Sequence, residues 1–596
     1  MSREYCNPVP FSDGKRHTNP DPYILSWCGK YYCYASDEFG VKVSVSEDLV
    51  RWHFEGYALR EEEYRDYWAP AVFYDNGTFY MYYSNVPSGC GDCHQEWLKL
   101  AVSENPVCGF RYRKTFFNKF SIDAHPVLWN GKLEMFYSVN DWNGTDERRS
   151  GTSILIDEMK DPQEFSGNPR EAVIPGIRQE IYAQNRFGDG RDWYTIEGAS
   201  HVVRGGRFWL LYSANAYVNT DYFIGTAVAE CKNDMKDMNW KKYPSESVWH
   251  PLLKKNDNVE GTGHNTVAKA PNMADDWIVY HGRFASEELV EGTEQREMRI
   301  DPLYFNGEEL LCFGPSQERK KAPGLPAVKF SEERICERKF LCDSSPYYMA
   351  EMWIKAELMH TGACWGFFLN YQDENNYVEL RFHSGKKTVS LYTVRSGLRY
   401  CRTSVKIKRD FDYTVPHRLT VIKRFNKYEA VFDGMESVCC TDDGMVSVGK
   451  AGIVSYFTDL TLISFAMTRS IFLTGNDLRL MGELYGFSAA GLDGAIGSGS
   501  GQMELKRLQK QAEFKEAMTF DIQNDKNCVE FIRGGRRVLL AENVRHTFSV
   551  YHIFEAGRDV FLANGRWIQT EGETAAGEYS FKTEGVQISE YENTEL

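Results

Sequence analysis

The stretch APAVFYDNGTFYMYYS, from Ala69 to Ser84, decides the fold. An apolar run leads into Asp75-Asn76-Gly77 and out into an aromatic-rich run. Asn-Gly is favoured in two-residue hairpin loops, where both central residues take positive φ. The segment therefore reads as two antiparallel strands joined by a tight turn.

The same pattern returns four more times. It is found in DPYILSWCGKYYCYAS from Asp21, DAHPVLWNGKLEMFYS from Asp123, EGASHVVRGGRFWLLYSA from Glu197 and HNTVAKAPNMADDWIVYHG from His264. The turns Cys28-Gly29-Lys30, Asn130-Gly131-Lys132 and Gly205-Gly206 are again rich in residues that tolerate positive φ. Successive hairpins start roughly 50 to 75 residues apart, enough for a four-stranded blade with a variable outer loop. Five repeats predict a five-bladed β-propeller over residues 1–318.

Further along, SQERKKAPGLPAVKF (316–330) combines charge, two prolines and a glycine, which predicts an exposed linker. Beyond it, NYVELRF places Val378, Leu380 and Phe382 on one face and Tyr377, Glu379 and Arg381 on the other, a half-buried strand. With KTVSLYTVR, HRLTVIKRF and YEAVFDG this predicts a β-sandwich over 327–475. CVEFIRGGRRVLLAE and HTFSVYHIFEAGRDVFLANGRWIQ predict a second, smaller sandwich over 476–596, with a loop at the Gly/Ser cluster 497–501. The expected fold class is all-β: a five-bladed β-propeller followed by two β-sandwich domains.

Composition limits the partners. The 596 residues carry a formal net charge of −15, which disfavours nucleic acid and anionic membrane surfaces. Aromatic residues make up 14%, and flat aromatic faces suit sugar rings. The fifteen cysteines are scattered rather than gathered in a small scaffold, so reduced thiols are the simpler reading. Cys90, Cys93 and His94 lack a second Cys/His pair to complete four zinc ligands, and read as a reduced surface loop. The N-terminus MSREYCNPVPF has no secretory apolar core, and no apolar run reaches ~20 residues, so the expectation is a cytoplasmic protein with no membrane partner.

In a propeller the first strand of each blade lines the central channel, so the strand starts converge. Three starts offer a carboxylate: Asp21, Asp123 and Glu197. Acidic groups gathered in a concave site push each other's pKa values apart, giving one proton donor and one ionised base. Glycoside cleavage needs such a pair. The alternative is that Asp21 and Asp123 only cap turns. Asp257 and Glu260, in a polar loop, could border the pocket without a chemical role.

The ordered set NPDPYI, YWAPAVFY, SIDAHPVLW, TIEGASHVV and GTGHNTV, then YHGR and QREMRIDPLYF, resembles glycoside hydrolase family 43 over about residues 18 to 316. The resemblance implies an inverting hydrolase in which Asp21 is the general base, Asp123 tunes and orients the acid, and Glu197 is the general acid. It implies that His264 lies on the axis beneath the pocket, beside a bound calcium or its water in some relatives; a satisfied core histidine is the equal alternative. Arg296 is implied to reach toward the sugar and the carboxylates, with Arg283 and Arg299 close enough to confuse the assignment. Tyr67 and Trp68 could cover a sugar face, or be blade packing. Ala71, where glutamate is frequent, and His125 depart from the commonest pattern and leave the subfamily open.

No organic cofactor is implied, and a structural calcium ion is left open. The segment from Phe330 resembles the concanavalin-like sandwich of some family 43 enzymes, which packs beside the propeller and can send a loop to the pocket; a bare carbohydrate-binding module is the competing reading. The resulting expectation is an exo-acting glycosidase that releases terminal α-L-arabinofuranose or β-D-xylose from plant-type oligosaccharides. A galactofuranosidase or galactan-acting enzyme, a glycoside phosphorylase, a non-catalytic glycan-binding propeller and a homo-oligomeric state stay open.

Overall fold

The computed structural model describes residues 3–91, 95–143, 149–290, 292–357, 362–407, 410–442, 448–475, 477–478, 502–508, 513–570 and 577–596. Cys93, His94 and the 497–501 cluster lie outside them. No described helix is long and apolar enough to cross a membrane.

Five sheets follow one another along the first half, antiparallel except for one short parallel pair, Ser150–Gly151 with Trp193–Tyr194, in the third. Their innermost strands are Tyr23–Trp27, Tyr64–Asp75, Ser121–Trp129, Ile196–Arg204 and Val259–Lys269. Each pairs with the strand after it, as the hairpin pattern requires. In the first four the register closes across two residues, Trp27↔Lys30, Asp75↔Thr78, Trp129↔Lys132 and Arg204↔Arg207. Both loop residues have positive φ, for example 46° at Asn76 and 88° at Gly77. That backbone matches the twist of the flanking strands.

The N-terminal segment closes the ring. Thr18 bridges Glu297, Asn19 N–H donates to the Arg296 carbonyl at 3.0 Å, and Val9 N–H donates to the Met298 carbonyl at 3.1 Å. The first and fifth blades are thus joined by backbone hydrogen bonds. The predicted linker is not free: Lys320–Lys321 pairs with Glu4–Tyr5, and Ser316 and Ala322 are buried. Charge at 318–321 suggested solvent, but a two-stranded edge satisfies this backbone while half-buried Lys320 and Lys321 pair with Asp301 and Glu555.

Two six-stranded paths, one running from Val328–Phe330 and one from Arg338–Ser344, form the next sandwich. Val378, Leu380 and Phe382 are fully buried in its core. The opposite face of that strand is covered too: Glu379 is fully buried, held by Arg381 at 2.7 Å. The last sandwich begins with Ser470–Thr474, which pairs with Val586–Glu595, ahead of the expected start at 476. No turn residue interrupts the apolar pattern there.

The sandwiches sit on the hairpin-turn end of the propeller. A Cβ on Gly29 would lie 2.9 Å from the Ser464 Cβ, and one on Gly77 2.9 Å from Val415. Tyr74 donates to the Pro416 carbonyl at 2.7 Å, and the Trp27 and Trp353 rings meet edge to face at 6.0 Å. The last sandwich takes the other blades: Arg204 pairs with Glu592 at 2.7 Å, and Tyr551 accepts from Phe305 N–H at 2.9 Å. These docking contacts lie opposite the strand starts. Among the described residues, none of these sandwich contacts reaches the strand starts, where a loop toward the pocket was expected. The aromatic burial expected of a docked sandwich is present, at the other end.

Candidate active site

Every blade carries an irregularity at its strand start. Residues with left-handed backbone stand there in turn: Asp21 (φ 53°), Ala69 (37°), Asp123 (57°), Gly198 (64°) and His264 (39°). The register shifts at the same places, between Trp68 and Ala71, Ile122 and His125, Glu197 and Ser200, and Gly263 and Asn265. Such bulges turn a side chain out of the sheet and commonly sit beside active sites. A left-handed non-glycine residue costs about 1–3 kcal/mol, so its surroundings must hold it.

Neighbouring blades supply that hold. Ser36 Oγ accepts from Ala69 N–H at 2.8 Å, Ser213 Oγ from His264 N–H at 2.7 Å, and His281 Nδ1 from Asp21 N–H at 3.0 Å. Asp123 Oδ2 accepts from Gly198 N–H at 3.0 Å. At Gly198 a Cβ would lie 3.2 Å from the His264 ring, which adds a steric reason for glycine.

Register places the carboxylates more finely than the repeats did. Ile122 faces Ser138, Trp68 faces Ser84 and Glu197 faces Ser213. Asp123 occupies the bulge itself and Asp21 the matching left-handed position, whereas Glu197 stands one residue earlier, where the second blade has Trp68. The three are not at equivalent positions, and the offset aims Glu197 differently from the two aspartates.

Their surroundings also differ. Asp21 accepts from Ser36 Oγ at 2.5 Å and from Arg296 Nη1 at 3.2 Å, with His264 Nδ1 3.4 Å away. Burial pushes its carboxyl upward, but the Arg296 guanidinium and the His264 ring outweigh this and hold it well below the usual range. His281 Nδ1 also lies 3.4 Å from that carboxylate, but its lone pair is already engaged by Asp21 N–H. Burial pushes His281 down to about 4, in keeping with a neutral ring.

Glu197 is pushed up to about 7, chiefly by burial and further by the Asp21 charge, against the hydrogen bond from Tyr222. That hydroxyl donates to Glu197 Oε1 at 2.8 Å. Asp123 is raised well above the carboxylate range by burial, then by Glu197 and Asp21. One buried carboxylate beside a fixed cation and two that resist ionisation are an arrangement able to supply a base and an acid.

Arg296 is the arginine that reaches this cluster. Its Nε and Nη2 bind Glu294 at 2.9 and 2.7 Å, and its guanidinium lies 4.3 Å over the Tyr217 ring. Arg283 is instead paired with Glu260 at 2.9 Å, and Arg299 is buried over the Phe284 ring. Asp257 is exposed.

Trp68 is half-buried in the slot equivalent to that of Glu197, as a sugar platform would be. Tyr67 is not: it is fully buried, stacks on Tyr83 at 6.0 Å and donates to the Glu61 carbonyl. Adjacent strand residues face opposite ways, so only one of the pair could face the mouth. His125 Nε2 and His201 Nδ1 are 2.8 Å apart, and burial holds both rings down. Among the described residues no three His, Cys, Asp or Glu side chains are placed to hold a metal ion. Asp21 Oδ1 lies 3.4 Å from His264 Nδ1, so a calcium ion there would draw most of its six to eight oxygen ligands from water.

Sequence reasoning missed His281, Ser36, Tyr222, Tyr217 and Glu294. Only the repeated end of each second strand, YAS, YYS, FYS, YSA and YHG, signalled the bracing positions.

The family model for glycosyl hydrolases family 43 matches residues 9–310. The chain belongs to this family. It is 26% identical over 265 residues to alpha-L-arabinofuranosidase 43 of Humicola insolens, covering 41% of this chain and 49% of that protein. It is 25% identical over 347 residues to a beta-xylosidase of Bacillus subtilis (strain 168), covering 52% and 58%. The chain thus spans about half the length of the curated relatives it matches. A solved thermostable family-43 glycoside hydrolase is 30% identical, covering 54% of this chain and 99% of that one, with a TM-score of 0.45. The family match ends at 310, so it covers the propeller and not the sandwiches.

Proposed function

We propose that this family 43 chain is an inverting exo-glycosidase that removes terminal α-L-arabinofuranosyl or β-D-xylosyl residues from plant-type oligosaccharides. The observation that carries the reading is the contrast between two carboxylates at one channel mouth: Asp21 lies 3.2 Å from the Arg296 guanidinium, which favours its ionised form, whereas Glu197 has the neutral Tyr222 hydroxyl at 2.8 Å and is pushed up to about 7.

In this mechanism Asp21 takes a proton from water as the water oxygen bonds to the anomeric carbon. The bond from that carbon to the glycosidic oxygen breaks, and Glu197 gives its proton to the departing oxygen. Attack from the face opposite the leaving group inverts the configuration. Asp123 acts through the backbone: its bond to Gly198 N–H fixes the residue next to the acid. Arg296 keeps Asp21 anionic, and Trp68 offers an apolar face to the sugar. Behind Asp21, Arg296, Glu294 and Tyr217 form a wall, pinned by Arg283 Nη1 donating to the Tyr217 carbonyl at 2.9 Å. A wall on the base side suits a chain end. The names of the two relatives are the support for a pentose.

The test is turnover of nitrophenyl α-L-arabinofuranoside, β-D-xyloside and β-D-galactofuranoside, with and without phosphate, following the first product by proton NMR. Release of a free pentose with inverted anomeric configuration is expected. A retained anomer, a sugar phosphate, or galactofuranose alone would overturn the reading.

A further inference from the structure

A second aromatic feature stands at the pocket end of the propeller, on the side of Glu197. Trp142, Phe187 and Trp193 line a cleft of about 250 Å³ together with Asn140, Ser150 and Gly151. Trp193 is four residues before Glu197, so the chain can separate them by at most about 14 Å. Thr195 N–H donates to the Glu180 carbonyl at 2.9 Å and Ile196 N–H to Thr152 Oγ1 at 2.8 Å, fixing the segment between.

This cleft is built, not incidental. Phe187 is 58% exposed and meets Trp193 edge to face at 5.6 Å. The Arg186 guanidinium lies 5.0, 5.3 and 4.9 Å over the Tyr182, Phe187 and Trp193 rings. Opposite them, the Trp142 indole N–H donates to Glu171 Oε1 at 2.8 Å, which sets its plane. At the base of the loop, buried Glu180 accepts from Gly176 N–H, Ile177 N–H and Lys242 Nζ at 2.7, 3.0 and 2.5 Å. Gly151 is required where the loop crosses, because a Cβ there would lie 1.8 Å from the Tyr194 carbonyl oxygen.

Three charged groups at the cleft have partners among the described residues. Asp141 pairs with Lys119 at 2.7 Å, Arg191 with Asp189 at 2.6 Å, and Asp192 accepts from Asn185 N–H at 3.0 Å. A neutral ring with apolar faces and hydroxyl edges finds both aromatic faces and polar groups in this lining. The volume is below the roughly 300–1,000 Å³ of sites that enclose drug-sized ligands, which suits one sugar ring on an open shelf.

We infer that the cleft between Trp142, Phe187 and Trp193 binds the sugar on the leaving-group side of the scissile bond, so that the preferred substrates are oligosaccharides rather than simple glycosides. This rests on Glu197 being the acid, because the acid stands on the leaving-group side. The measurement compares kcat/KM for a pentose trisaccharide with that for a pentosyl fluoride, whose leaving group has no ring. Phe187→Ala touches an exposed side chain and should lower the trisaccharide-to-fluoride ratio about 3- to 10-fold, the worth of one stacking contact. Trp193→Ala should lower it at least as far. An unchanged ratio in both variants overturns the inference while leaving the acid assignment standing. If the wild-type enzyme hydrolyses neither pentoside, the functional reading falls, and the cleft is judged by calorimetric titration of xylotriose and arabinotriose into Glu197→Gln. Weaker binding on adding Phe187→Ala upholds it, and equal or absent binding overturns it.

Discussion

Two buried clusters in this molecule use the same side-chain chemistry to different ends. At the propeller mouth Asp21, Asp123 and Glu197 meet His264, His281 and Arg296. In the last sandwich Glu516 and Asp559 meet His552 and Arg533. Sandwich residues lie in the strands Phe514–Ile522, Phe548–Glu555, Arg558–Ala563 and Cys528–Arg533, and none has a positive φ. Glu516 Oε1 accepts from His552 and Tyr579 at 3.0 and 2.6 Å, and Oε2 from Tyr591 at 3.0 Å; His552 Nε2 faces Asp559 at 2.8 Å. There each carboxylate has its donors. The mouth has three carboxylates and one arginine that is shared with Glu294, with Asp21 and Asp123 on left-handed backbone and Glu197 directly before left-handed Gly198. Buried acid and histidine therefore do not mark a reactive site; an unbalanced set held by strained backbone does.

The largest expected break in that contrast comes from Glu197→Gln. Loss of the proton donor should lower kcat on natural glycosides by about 10²–10⁴-fold, and far less on substrates with activated leaving groups. Equal loss on both would remove Glu197 from the acid role. The same variant has a stability signature. Glu197 binds its proton more tightly folded, with a pKa of about 7, than in the unfolded chain. Its favourable contribution is complete below the unfolded value of about 4.3 and is lost as pH rises through 7. The variant should therefore gain thermal stability relative to wild type at pH 8 compared with pH 4. The sandwich should answer in the opposite currency. His552→Leu leaves two buried carboxylates without their shared partner and should cost about 3–5 kcal/mol in urea unfolding, with kcat of the folded fraction unchanged. A loss of kcat in that fraction would show that the clusters are coupled.

How much of this was legible depended on whether the signal was local. The turns Asn76-Gly77 and Asn130-Gly131 set their own backbone, so blade number and hairpin register followed from the sequence. Asp21, Asp123 and Glu197 stood out because each begins a repeat, yet the one-residue offset of Glu197 did not, since a bulge is made by pairing with a strand further along. Tyr67 and Trp68 were indistinguishable until the pairing with Ser84 showed which one turns outward. His281 was hidden because it braces a residue 260 positions away. Lys320–Lys321 misled because its strand partner is the far N-terminus. The seat of the sandwiches was invisible, as nothing local tells which end of a propeller a distant domain will cover.

The smallest effect gives the sharpest comparison, because the two clusters share one element, a tyrosine hydroxyl donating to a carboxylate. Tyr222 does so to Glu197 at 2.8 Å and Tyr591 to Glu516 at 3.0 Å. Burial and the nearby acids keep the Tyr222 phenol protonated, so it remains a donor throughout the working range. Its bond favours the ionised form of Glu197 and pulls that pKa down against burial and Asp21. In Tyr222→Phe this pull is gone, and the acid keeps its proton to higher pH. The basic limb of the kcat/KM profile should then move upward by about one pH unit, the worth of one hydrogen bond to a charged group. Tyr591→Phe removes the matching bond in the sandwich and should lower stability while leaving the limb in place. A basic limb that stays fixed in Tyr222→Phe, or moves in Tyr591→Phe, would mean that Glu197 is not the group whose ionisation ends activity.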